Sequence, residues 1–463
     1  MKLTDAFIQG LGSLAGSDNV ITDECHLQQY GRDYTEDLFY QPYCVVMPET
    51  AEAVAAVLRY CNECRIPVYT RGAGTGLSGG SLPVNGGIVL STEKLNSILQ
   101  IDEKNFQATV QPGVINEVFA RAVAEKGLYY PPDPASKGSC FLGGNIAHGS
   151  GGPRAVKYGT TRDYVLNLQV ALPNGELIWT GANTVKNSTG FNITQLMVGS
   201  EGLLGVVTCI VFRLVALPSQ QLLMLVPFRT AGEAAVAVNQ VLLTGITPSA
   251  LELMEASGVK ISAEATQTPF PFHYEAAFYM LIELDGDDAE TLMKQAEQLY
   301  PPIEECGAID VLIADSSSLK EQWWKVRRGI GETVKQASVY KEEDTVVPRA
   351  ALPDLLLAVK EIGNRYGFES VCYGHAGDGN LHVNILKNDL SDDVWNWEIP
   401  KAIREIFTVC KNLGGTISGE HGVGLVQKPY LDVVFTPEHF SIMKGIKAVF
   451  DPNNIMNPGK WLD

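Results

Sequence analysis

The segment PVYTRGAGTGLSGGS, from Pro67 to Ser81, constrains this chain more than any other stretch. A short β-forming run leads straight into Gly74, Gly76 and Gly79 in GxGxxG spacing, the arrangement of a dinucleotide fingerprint. That fingerprint has to open a helix whose N-terminus meets the pyrophosphate, and Gly79, Gly80, Pro83, Gly86 and Gly87 forbid a helix here. What is left is a long loop of exposed backbone N–H groups and small side chains. Consecutive amides of this kind form an anion-binding concavity, so the loop can wrap a diphosphate on a scaffold other than the nicotinamide-binding one.

Length and charge narrow the rest. The 463 residues carry a soft expectation of two or three domains at about 150 residues each. Acidic residues outnumber basic ones by 53 to 35, a net charge of -18, which argues against nucleic acid and anionic membranes as partners. The most apolar stretch, Leu203 to Leu217, is interrupted by Arg213 and stopped by Pro218, short of the ~18 apolar residues of a spanning helix. The opening MKLTDAFIQGLGSLAGSDNV has no apolar core and no Arg-rich face, so neither a secretory signal nor a transit peptide fits and a cytoplasmic location is expected. Nine dispersed cysteines read as reduced thiols. Cys61 and Cys64 fall in the helical pattern AVAAVLRYCNEC, and no second pair completes a zinc or iron-sulfur site.

Patterning predicts a strand at CVVM, a helix over ETAEAVAAVLRYCNEC with Pro48 and Thr50 as start signals, and a strand at PVYT, together a βαβ-like unit. Strands follow at GGIVLS, ILQID and QATVQP, then a helix from about Val114 to Glu125 and a glycine-dense region from Gly138 to Gly159. Pro173, Asn174 and Gly175 turn a hairpin. Beyond Pro218 strands such as LLMLVPF and EAAFYMLIEL alternate with helices near 231–243 and 287–299, which reads as a second, α+β domain. Helices are also predicted over 317–338, 351–365 and 393–412, and a last one ends at Phe450.

These segments together resemble the flavin-binding family of vanillyl-alcohol-oxidase (PCMH) type, in its D-2-hydroxy-acid dehydrogenase and glycolate oxidase branch. The motifs are the Arg71–Gly80 loop, the turn Pro131-Pro132-Asp133-Pro134, Gly143-Gly144-Asn145 with Gly151-Gly152 after it, Tyr158 to Thr161, the stretch Lys186 to Thr208, and the ending FDPNNIMNPGK. The resemblance covers the chain from about residue 40. It implies an FAD-binding domain of two subdomains over 1–218, a substrate or cap domain with an antiparallel sheet over 219–430, and a C-terminal segment, 431–463, returning to the first domain. It assigns cofactor contacts to Arg71, Gly72, Ala73, Gly74, Thr75, Gly76, Ser78 and Gly79, and to Pro132, Asp133 and Ser136. Gly143, Gly144, Asn145, Ala147, Gly151, Gly152, Tyr158, Gly159 and Thr160 follow, then Glu201, Gly202, Gly205, Val206 and Asn457. Some members tether the flavin through a His where this chain has Thr75, so the FAD is expected to be noncovalent, with His148 as the alternative attachment point.

In VCYGHAGDGNLHVNIL the Asp378-Gly379 dipeptide sits between two β-forming runs, as in a two-residue hairpin. Facing positions then make His375 and His382 direct cross-strand neighbours, with Tyr373 and Asn384 as the next pair on that face. Two imidazoles so placed can share a divalent metal, and Glu420 in GGTISGEHGVG offers a third ligand. Members with GHxGDGNxH and GEHG use these three positions as metal ligands, and the resemblance implies the same for His375, His382 and Glu420, with zinc ahead of manganese or iron. His421 is then the candidate base for a substrate hydroxyl, its alternative role being to orient Glu420.

A substrate carboxylate needs a cation, and the family's Trp-x-x-Arg falls on Trp324 and Arg327. Arg327, Asn384 and His421 are accordingly the substrate-binding candidates. The 2-hydroxyglutarate dehydrogenases carry a Thr and a Lys where this chain has Gly331 and Glu342, and an acidic side chain repels a second carboxylate. The expectation is a D-2-hydroxy-acid dehydrogenase acting on D-lactate, glycolate or a longer monocarboxylate. D-2-hydroxyglutarate, or a noncatalytic FAD subunit of a larger oxidase, is the alternative. With no iron-sulfur motif of its own, the chain implies a separate acceptor: an electron-transfer flavoprotein, an iron-sulfur subunit, or a quinone reached by peripheral membrane contact. A homodimer is a possible assembly.

Overall fold

The computed structural model describes residues 3–35 and 38–463. The chain divides into two units: Met1–Gly151, Thr160–Leu217 and Glu420–Asp463 form the first, and Gly152–Gly159 with Pro218–Gly419 the second. Two boundaries differ from those read in the sequence. The return to the first unit begins at Glu420 and not at 431, because Gly419 N–H still bonds to Asp344 whereas Val423 and Gly424 N–H bond to Glu201. Gly152–Gly159 leaves the first unit because Arg154 pairs with Glu283 at 3.0 Å, and Lys157 and Tyr158 bond to Asp285.

In the first unit the helix Ala51–Cys64 forms where expected, with the Thr50 side chain accepting from Ala53 N–H. Its apolar stripe Val54, Val57, Leu58 and Cys61 packs on Val46, Val68, Ile88 and Leu90. The flanking strands Cys44–Val46 and Val68–Arg71 are not neighbours: Ile88–Ser91 lies between them, parallel to both. Ile88–Ser91, apolar on both faces, suits the middle of a sheet. A second sheet is antiparallel, in the order Ile98–Asp102, Gln107–Val110, Val206–Arg213, Val165–Ala171, Leu177–Trp179. Residues 72–87 contain no helix. The glycine-dense region does hold two short ones, Leu142–His148 and Ala155–Tyr158, that patterning does not show.

The second unit is built on one antiparallel sheet of seven strands. Their order is Leu312–Ile313, Gln220–Phe228, Phe278–Gly286, Ala250–Glu255, Glu369–Gly374, Asn380–Leu386, Tyr340–Val346. The helices Ser317–Ala337 and Ala256–Ala265 bury one face, on which Leu223, Leu225, Met254, Tyr279, Leu281 and Tyr373 meet Trp323, Trp324, Val326 and Ile330. The next residues along each strand, among them Met224, Leu253, Ile282 and Cys372, are buried too, so the sheet is covered on both faces. The helix expected to stop near 299 runs through Pro301 and Pro302 to Glu305, held by Leu292, Ala296, Leu299 and Ile303. No described helix is long and apolar enough to cross a membrane.

Candidate active site

The first unit supplies a glycine cradle. Gly74 and Gly79 take the left-handed conformation, at φ 74° and 73°, which glycine adopts at little cost. Arg71, almost fully buried, stiffens the loop from beneath: its Nη1 donates to Arg32 O at 2.8 Å and to Ser81 Oγ at 3.2 Å, and its guanidinium lies over the Tyr30 ring. A Cβ on Gly72 would come 3.8 Å from Gly144 Cα, while one on Gly144 would meet nothing within 4 Å. Asn145 Nδ2 beside it is buried with no hydrogen-bond partner among the described residues. Open backbone, small residues and an unsatisfied buried donor suit a phosphate-bearing cofactor.

Around this cradle the C-terminal segment is laced in. Ser78 O accepts from Leu425 N at 2.7 Å, and Ser78 Oγ donates to His421 O at 3.2 Å, so the candidate base lies against the glycine loop. Glu201, at φ 49°, accepts from Val423 and Gly424 N–H at 2.8 Å each. Asn457 joins Thr70 N–H to Glu201 O, and Lys460 donates to Gly79 O and Leu82 O at 2.6 Å each. Thus Glu201 and Asn457, read in the sequence as cofactor contacts, spend these side-chain bonds shaping the loop. Gly202 and Gly205 sit at positive φ where a Cβ would strike Thr70 and Ala171. A Cβ on Gly151 would come 3.0 Å from Glu420 Oε2, and the Glu420 and His421 side chains approach to 3.9 Å.

The second unit supplies a polar row at the edge of an apolar face. Met254, Tyr373, His382 and Asp344 face one another across four strands. Glu252, two residues from Met254, shares their side. Its carboxylate is fully buried, 2.5 Å from Arg327 Nη2 and 2.9 and 3.0 Å from His375 Nδ1. Burial alone would raise its pKa; Arg327 and then His375 outweigh that and hold it below the usual carboxylate range. Removing one partner of such a pair costs about 3–5 kcal/mol, because the other charge is left buried and unpaired. Arg327 also lies over the Tyr373 ring at 5.0 Å, and its Nε is buried without a hydrogen bond among the described residues. Asn384 is fully buried with neither amide atom bonded among the described residues.

The hairpin register differs from the sequence reading. His382 faces Tyr373 and not His375, and Asn384 faces Val371 and not Tyr373. The turn is a five-residue loop, His375 to Gly379, closed by Asn380 N–H donating to His375 O at 3.2 Å. Gly379 has φ 84°, and a Cβ there would come 2.0 Å from Val347 O. A shift of two residues leaves every side chain on its original face, where a shift of one would turn them over. The two imidazoles therefore still meet, edge to face, with ring centroids 5.4 Å apart.

His375, His382, Arg327 and Asn384 thus belong to the second unit, and Glu420, His421 and the glycine cradle to the first. Gly152, Tyr158 and Gly159, expected at the cofactor, fall in the second unit, where the Tyr158 hydroxyl donates to Asp285 at 2.7 Å. Sequence reasoning missed Glu252. Its signal is a carboxylate inside the run SALELM, whose neighbours on both faces are apolar, so it has to be buried with a partner.

Two family models match the chain: an FAD binding domain over residues 42–181, and the C-terminal domain of FAD linked oxidases over residues 217–461. The fold and cradle are those of a flavin-dependent oxidoreductase. The chain belongs to the FAD-linked oxidase family. It is 36% identical to D-lactate dehydrogenase of Anaerostipes hadrus, over 99% of this chain and 98% of that one. It is 37% identical to glycolate oxidase subunit GlcD of Bacillus subtilis, over 96% and 94%, and 34% identical to D-2-hydroxyglutarate dehydrogenase of Stutzerimonas stutzeri, over 99% of each. Among solved structures, p-cresol methylhydroxylase superposes with a TM-score of 0.81 at 19% identity, over 99% of this chain and 96% of that one, a likeness of fold.

Proposed function

We propose that this chain is an FAD-dependent dehydrogenase that oxidises a D-2-hydroxy acid to the 2-oxo acid, with D-lactate, glycolate or a longer monocarboxylate as substrate. The observation that carries the reading is the second unit's buried carboxylate Glu252 paired with Arg327 and His375, with the His382 ring edge to face against His375, in a chain with an FAD binding domain. The Arg71–Gly79 loop and Gly143–Asn145 would hold the FAD noncovalently; when bound, it supplies the acceptor for the hydride leaving the substrate's α-carbon. His375, His382 and Glu420 are proposed to hold a divalent metal, zinc in the first place. Chain continuity supports Glu420 as the third ligand: it follows Gly419, whose N–H bonds to Asp344, the residue facing His382. When bound, such a metal lowers the pKa of an oxygen it ligates.

The chain's own residues divide the work. His421 takes the hydroxyl proton, the general-base role that imidazole most often fills; its carbonyl is anchored by Ser78. Arg327 meets the substrate carboxylate with the edge that Glu252 does not occupy, and Asn384 offers an unsatisfied amide on the same face of the sheet. Two observations favour a monocarboxylate. A Cβ on Gly331 would come 2.7 Å from Tyr373 Oη, so a larger residue there would have to displace that hydroxyl, from which Glu342 accepts. Electrons then pass to a separate acceptor, since the nine cysteines are free and dispersed. Work in the cytoplasm, with peripheral contact to a membrane through an acceptor subunit, belongs to the same proposal.

The test is anaerobic bleaching of the oxidised flavin band. D-lactate is expected to bleach it and L-lactate is not, with loss on chelation and recovery on adding zinc. The dehydrogenase reading falls if D-lactate, glycolate, longer D-2-hydroxy acids and D-2-hydroxyglutarate all leave the flavin oxidised. A preference for D-2-hydroxyglutarate of about tenfold or more in kcat/KM would overturn the monocarboxylate assignment alone.

A further inference from the structure

Glu252 does more than neutralise a buried arginine. It stands on Ala250–Glu255, a strand flanked on both sides within the seven-stranded sheet, and so is held by a rigid element. Arg327 reaches it from the helix Ser317–Ala337, and His375 from the loop that ends the strand Glu369–Gly374. We propose that Glu252 is a positioning residue that ties His375 and Arg327 into one unit, so that metal loading and capture of the substrate carboxylate are coupled through a single side chain. This rests on the reading above, in which His375 is a metal ligand and Arg327 binds the substrate.

An ionised carboxylate can only accept hydrogen bonds. Both oxygens of Glu252 lie within 3.0 Å of His375 Nδ1, so that nitrogen carries the hydrogen and Nε2 carries the lone pair a metal needs. The Tyr373 ring, its centroid 5.0 Å from the Arg327 guanidinium carbon, packs against the side chain that meets Glu252. If His375 held a cation, its Nδ1–H would become a stronger donor and draw the carboxylate toward the imidazole. Arg327 would then be less neutralised and would attract a substrate carboxylate more strongly. Linkage requires the reverse effect to be equal, so a bound carboxylate tightens the metal by the same factor.

Glu252→Gln tests this, because an amide oxygen can face one of the two donors only while its NH2 opposes the other. FAD-loaded protein stripped of metal is titrated with zinc against a chromophoric chelator, with and without pyruvate as an unreactive carboxylate. E252Q is expected to weaken zinc by about 10–100-fold at unchanged FAD content, and to abolish a pyruvate-dependent gain of about fivefold or more in the unsubstituted protein. Nitrogen NMR of the metal-free protein is expected to show His375 protonated at Nδ1, and in E252Q a mixture of tautomers. Glu252→Asp, which keeps the charge, recovers part of the zinc affinity and serves if E252Q does not fold. Unchanged zinc affinity and tautomer in both variants would overturn the positioning role, and weakened zinc with the pyruvate gain intact would overturn the coupling. If His375→Ala binds zinc as tightly as the unsubstituted protein, the metal reading fails instead.

Discussion

Lys460 shows how much a single residue can depend on burial. It is 2% exposed and donates to Gly79 O and Leu82 O, the carbonyls that close the glycine loop. Burial pushes its ammonium down to about 7, against the pull of Asp33 and Glu201. Above about pH 7 the unfolded chain therefore holds a proton that the folded one releases. Stability should rise with pH from there toward the usual lysine value near 10.4, by up to about 1.4 kcal/mol per pH unit, and the charge-burial cost is borne in full below pH 7. Thermal unfolding between pH 7 and 10 checks this: Lys460→Met is expected to flatten the slope, and parallel profiles would refute it. At this scale the residue types of the site were legible, since His375, His382, Glu420, His421 and Arg327 stand in recognisable motifs. The partners of Arg327 and His375 were not, because Glu252 lies more than seventy residues from the nearer of them in the chain.

The hairpin around Gly379 carries the lesson for elements. Alternation decided that His382 and Asn384 share a face, and the structure keeps them on it, with His375 meeting His382 from the loop. Register is a different matter: Asp378-Gly379 suits a two-residue turn, yet the loop runs from His375 to Gly379, packed under Val347. Gly379→Ala would add the cost of a left-handed non-glycine residue, about 1–2 kcal/mol, and a clash with Val347 O worth roughly 1–3 kcal/mol. A lowered melting temperature is expected, with FAD content retained because the change lies in the second unit. A variant that melts like the unsubstituted protein would show that the loop can open at little cost. Patterning likewise ended one helix at the prolines near 301, where tertiary burial of Leu299 and Ile303 carries it on to Glu305.

For the molecule as a whole, the first unit is assembled from three separate stretches of chain. Ile455 and Met456 enter its core with Val54, Val57 and Leu90, and Val68 N–H donates to Ile455 O at 2.7 Å. A chain truncated after Leu217 is therefore expected to lose FAD although it keeps the whole glycine loop, and addition of residues 420–463 should restore some binding. Flavin fluorescence after gel filtration measures this, and tight binding by the truncated chain alone would contradict it. The sequence by itself determined the phosphate-wrapping loop, the two-part α+β organisation and the chemistry-bearing residues, because these follow from local backbone freedom, periodicity and motif. Only the tertiary structure decided the strand inserted between Cys44–Val46 and Val68–Arg71, the hairpin register, and the burial of Glu252 between Arg327 and His375. Each of these depends on contacts between residues far apart in the chain, where packing and charge compensation outweigh local preference.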